Sequence, residues 1–132
     1  MATITNPRLA ITTDRSHDAA TVVVSCDVAF TTFEVNSMNK LGLRYSLRCD
    51  LLDMDLLYSD TVIQFEEVDL PHTRGKAEHL EHVEFTSAAK MSSMHMYVFG
   101  KDPLYGRFVL TNRETGAEVS AHSPTVLVDL AA

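Results

Sequence analysis

Tryptophan is absent from this 132-residue chain, and cysteine occurs only at Cys26 and Cys49. Two cysteines with no CxxC spacing and no nearby histidine pattern exclude a zinc finger and a thioredoxin-like motif. Both fall on apolar alternations, so the expected state is two buried thiols in a reducing compartment. Glycine is scarce too. Gly42, Gly75, Gly100, Gly106 and Gly116 are scattered and form no phosphate-cradling loop. Basic residues number 11 against 18 acidic ones, a net charge of −7. Nucleic-acid binding needs surplus Lys and Arg to neutralise phosphates, so nucleic acid is not an expected partner. No run approaches the ~20 apolar residues that span a bilayer. Met1 to Thr13 lacks the basic start, apolar core and cleavage site of a signal peptide. The expectation is a cytoplasmic protein without a membrane partner.

What the chain does have is β-branched side chains: 13 Val, 3 Ile and 13 Thr. They favour strands, where a branched Cβ packs well on a pleated surface. Period-2 alternation is the main signal. From Thr21 to Phe30, Val22, Val24, Cys26, Val28 and Phe30 share one face. From Leu43 to Leu51, Leu43, Tyr45, Leu47, Cys49 and Leu51 alternate with Arg44, Ser46, Arg48 and Asp50. A helix would scatter those charges; a strand sets them on one side. Shorter strands are predicted at Leu9–Thr13, Tyr58–Glu67, His79–Thr86, Met94–Phe99 and Gly106–Asn112. The last pair, Val119–His122 and Thr125–Leu130, reads as one strand interrupted at Ser123-Pro124, because Pro124 has no N–H for a ladder. Asn36–Gly42 reads as a polar connection with room for a short turn of helix, and Ser87–Ser93 as a helical turn or a loop.

Seven or eight short strands without a long amphipathic helix predict an all-β fold, an antiparallel two-sheet sandwich, with residues 1–132 as a single domain. The two long alternating strands and the closing hairpin, Arg107 to Leu130, carry a resemblance to immunoglobulin-like and fibronectin-type-III-like sandwiches. It is architectural and spans about Leu9 to Leu130. The chain departs from true immunoglobulin domains in having no core tryptophan. Its cysteines sit on the second and third predicted strands, not the second and sixth. Such folds host many functions, so function must be sought in particular residues.

Asp50, Asp53, Asp55 and Asp60 could supply part of a calcium ligand set. The segment has neither the glycine nor the closing glutamate of an EF-hand loop, and solvated strand-end carboxylates are the simpler reading. His79 and His82 would share a face on a helix, but on a strand residues i and i+3 point apart. Ser16-His17-Asp18 and the Ser120–Ser123 segment invite comparison with a catalytic triad, although sequence adjacency is no evidence for one. Arg44 and Arg48, with Arg107 near, could receive a carboxylate or phosphate; surface ion pairs are the plainer reading. Met94–Phe99 is apolar on both strand faces, and one of those faces has to be covered by a loop or by a partner. Met94, Met96, Tyr97 and Phe99, with Tyr105, are therefore the expected protein-interface residues.

The expected function is that of a non-enzymatic interaction or assembly module without a cofactor, self-associating or bound to a protein partner. A calcium-linked binding domain on the acidic segment is the first alternative. An enzyme built on the histidines is the second.

Overall fold

Val22, Val24, Cys26 and Val28 form the fully buried inner face of a central strand. The computed structural model describes residues 1–54, 59–72, 76–94 and 100–130. Its strands are β1 (Thr3–Asp14), β2 (Ala19–Ala29), β3 (Tyr45–Met54), β4 (Ser59–Gln64), β5 (Val68–Leu70), β6 (Leu80–Lys90), β7 (Asp102–Asn112), β8 (Glu118–His122) and β9 (Val126–Val128). Two helices, α1 (Thr32–Leu41) and α2 (Met91–Met94), join β2 to β3 and follow β6. Among the described residues no helix is long and apolar enough to cross a membrane.

The first sheet has the order β1-β2-β6. The second has the order β4-β3-β7-β8, with β5 also pairing β3 and β9 also pairing β7. Every pairing is antiparallel. The all-β, two-sheet expectation holds. β4 and β5 lie along one edge of β3, and β8 and β9 along one edge of β7, so each pair is a single broken edge strand. Counted that way, the nine strands among the described residues occupy seven places.

The break between β8 and β9 falls where proline places it. The Ser123 N–H donates to the Gly106 carbonyl at 2.8 Å, keeping the ladder for one more residue. The buried Ser123 hydroxyl accepts from the Gly106 N–H at 2.8 Å and donates to the Pro124 carbonyl at 3.0 Å. A side chain thus replaces the ladder bond that the interrupted backbone cannot make. At Gly106 the two sheets also come close together. A Cβ there would lie well inside van der Waals contact of Val24 Cγ1, which explains a glycine in the middle of a strand.

Three expectations are corrected. The polar connection after β2 is a ten-residue helix. Thr31 and Glu34 form a reciprocal capping box, and Gly42 ends the helix with φ +74°. β6 continues past Thr86 to Lys90, because Ser87 to Lys90 pair with Ala19 to Val22 of β2. Met94 does not begin a strand; it ends α2.

The core fills the space between the sheets. Val22, Val24, Cys26, Val83 and Phe85 of the first sheet meet Leu47, Cys49, Leu51, Leu104, Phe108 and Leu110 of the second. β1 lies across β7 and β8 at one side of the sandwich.

Candidate interaction surface

The expected interface residues separate. Met94 is 1% exposed and belongs to the core beside Met91, so it offers nothing to a partner. Met96, Tyr97 and Phe99 lie outside the described residues. Tyr105 is half-buried on the outer face of the second sheet, where its ring meets His122 edge-on at 5.8 Å.

The carboxylates separate too. Asp53 is on the inner face of β3 and buried, while Asp50 is on the outer face, opposite Arg107. Asp60 pairs across from Asp53, and Asp55 lies outside the described residues. Alternation along one strand therefore keeps Asp50 out of any ligand set containing Asp53. Among the described residues no group of three or more His, Cys, Asp or Glu side chains could hold a metal ion.

The histidines serve local contacts. His82 Nδ1 lies 2.8 Å from Asp27 Oδ1 on the outer face of the first sheet, whereas His79 Nε2 lies 3.4 Å from Thr32 Oγ1. The bonds from His82 and then Asn6 hold the Asp27 carboxyl below its ordinary range. Ser16 and His17 turn to Asp14, not Asp18. The Ser16 hydroxyl donates to Asp14 Oδ1 at 2.6 Å, and His17 Nδ1 lies 2.7 Å from Asp14 Oδ2. Ser16 Oγ is also 3.0 Å from the same Nδ1. A catalytic relay needs hydroxyl and carboxylate on opposite ring nitrogens, so this is an exposed polar turn. Asp18 instead receives the Ser92 N–H and hydroxyl and ties α2 to the β1–β2 turn.

The arginines also have structural roles. Arg44 donates to the carbonyls of Met38 and Leu43 at the end of α1, where a cation suits the helix dipole. Arg48 pairs with Glu118 at 3.3 Å across the outer face. Both cysteines are free and buried. Burial, with a lesser contribution from Asp27, pushes the Cys26 thiol up to about 12, and Cys49 is raised in the same way.

What the sequence did not reveal is the exposed side of the first sheet. β1 and β6 are its end strands, and each has one side without a strand partner among the described residues. β1 carries a bulge between Thr5 and Arg8, with Asn6 at φ 50° followed by Pro7. Beyond it, Arg8 to Asp14 runs uninterrupted. Arg8, Ala10, Thr12 and Asp14 are exposed, while Leu9 and Ile11 are half-buried and face inward. A groove of about 430 Å³ runs from this edge over the outer face of the sheet, lined by Arg8 and Ala10, by Val23 and Ser25 on β2, by Glu84 on β6, and by Pro124 and Val126. The only signal for it in the sequence was Pro7 just before an alternating stretch.

No known family model matches the chain, and no curated protein is significantly similar to it.

Proposed function

We propose that the chain is a small non-enzymatic interaction or assembly module on an immunoglobulin-like or fibronectin-type-III-like sandwich, acting in the cytoplasm by joining a second copy of itself or a protein partner. The carrying observation is the outer edge of β1: seven uninterrupted residues, paired to β2 on one side and without a strand partner on the other among the described residues. Strand order supports the fold reading. With the broken edges counted once, the first, second and fifth strands share a sheet, and the third, fourth, sixth and seventh share the other; the fourth lies beside the third, not beside the fifth as strand D lies beside E in constant-type immunoglobulin domains. The other six keep the division of strands A, B and E from C, F and G in immunoglobulin-type sandwiches. Two free, buried thiols agree with a reducing compartment.

Sedimentation velocity from low to high micromolar concentration tests the self-association. The expected result is a mass that rises from one chain toward two. A mass that stays at one chain throughout would end that branch of the reading.

A further inference from the structure

The module reading leaves open which surface joins the copies, and the four strand edges are not equivalent. The β4/β5 edge has a register shift between Leu51 and Leu52 of β3 and is interrupted between Gln64 and Val68. The β8/β9 edge is broken at Ser123-Pro124. β6 is long and continuous, but Glu81 points inward from it. Glu81 is 7% exposed, and its Oε1 has no hydrogen-bond partner. Another strand laid along β6 would cut that carboxylate off from its remaining solvent, at a large desolvation cost. β1 has only its bulge, and the bulge sits at one end.

We infer that β1 is the self-association edge, and that two copies pair antiparallel through Arg8–Asp14 about a two-fold axis at Ile11. This inference rests on the module reading above. The register follows from the segment. Asn6 and Pro7 stop the ladder on one side, and the turn of Arg15–His17 stops it on the other. Full-length pairing of seven residues with themselves puts the middle one, Ile11, on the axis. Arg8 then meets Asp14 of the second copy, Leu9 meets Thr13, and Ala10 meets Thr12, each contact occurring twice. Cross-strand partners share a face, so the inward Leu9 and Ile11 stay inward and the charged pair stays on the outer face.

The charges fit this register and no neighbouring one. Arg8 is exposed and, although its charge acts on Asp27 of β2, it has no carboxylate within ion-pair distance among the described residues. Sliding the copies by two residues in one direction sets Arg8 against Thr12 and runs Asp14 into the bulge at Asn6. Sliding them the other way sets Ala10 against Asp14 and pushes Arg8 past the strand end. An odd slip pairs inward residues with outward ones. The hydrogen bond from the Ser16 hydroxyl, then that from His17, lower the Asp14 pKa, which favours its charged form opposite Arg8. Half-buried Leu9 and Ile11 gain cover from the second strand.

Four chains test this: the wild type, Arg8→Asp, and Ala10→Cys and Thr12→Cys, the last two mixed. All three positions are exposed, and circular dichroism checks that the variants fold. The native thiols are buried and do not compete for crosslinking. Arg8→Asp replaces two attractions by two like-charge contacts and should weaken the dimer about tenfold or more. Under mild oxidation the mixture should give a crosslinked dimer of one chain of each kind, because directly opposed Cβ atoms lie about 5 Å apart. Ala10→Cys alone should crosslink far less. A wild-type dimer that is unaffected by Arg8→Asp and leaves the mixture uncrosslinked would overturn the β1 pairing while the module reading stands. A wild type that stays monomeric would overturn both the pairing and self-association.

Discussion

Glu34 accepts hydrogen bonds from three parts of the chain at once. Thr31 N–H reaches Oε1 at 2.9 Å, while Ala2 N–H at 2.9 Å and the Tyr45 hydroxyl at 2.7 Å both reach Oε2. Burial alone would raise this carboxyl, but the bonds from Thr31 and Tyr45 outweigh it and hold the pKa below its ordinary value. A depressed carboxylate contributes stability above its unfolded pKa and loses it as pH falls through the folded one. Glu34→Gln should therefore lower the unfolding free energy at pH 7 by about 2 kcal/mol. The gap to wild type should narrow as the pH drops below about 4. Urea melts at the two pH values measure this; an equal gap at both would show that the charge is not what matters. The same contacts push the Tyr45 hydroxyl the other way: burial first, then its bond to Glu34, raise its pKa.

At the scale of elements, the two sheets lock together where Gly106 of β7 meets Val24 of β2. Gly106→Ala should cost about 1–3 kcal/mol by overpacking. Adding Val24→Ala should return part of that loss, so that the double variant is more stable than the sum of the singles predicts. Thermal melts of the four chains decide it, and strict additivity would argue against the contact. β2, β3 and the proline-broken final strand were legible because period-2 alternation and a missing N–H are local signals. α1 was not, because its buried face is half polar: Glu34 and Ser37 share it with Val35 and Met38, while Phe33 and Leu41 stay exposed. Its capping box, Thr31-x-x-Glu34, was the available signal. The end of β6 was hidden for another reason. Ala88, Ala89 and Lys90 favour helix by themselves, and pairing with β2 overrides them. The open edge of β1 was not legible either, since which strand ends a sheet depends on strand order, and no stretch of sequence encodes that locally.

For the whole molecule, the proposed pairing turns on Glu81 at the far end of the first sheet. Glu81→Val removes a buried carboxylate and should keep or raise stability. It should also make β6 as receptive as β1, and light scattering should then show species larger than two chains. A variant that stays at the wild-type mass would show that β6 is closed by something other than this charge. Strand pairing at both ends of a sheet has no natural stopping point: each added copy presents a fresh edge, and a fibre grows. Pairing at one end uses that edge in both copies at once and leaves nothing to extend. On the proposed β1 pairing, a single inward-pointing glutamate would set particle size, making the product a closed pair of finite mass with a six-stranded sheet running through it.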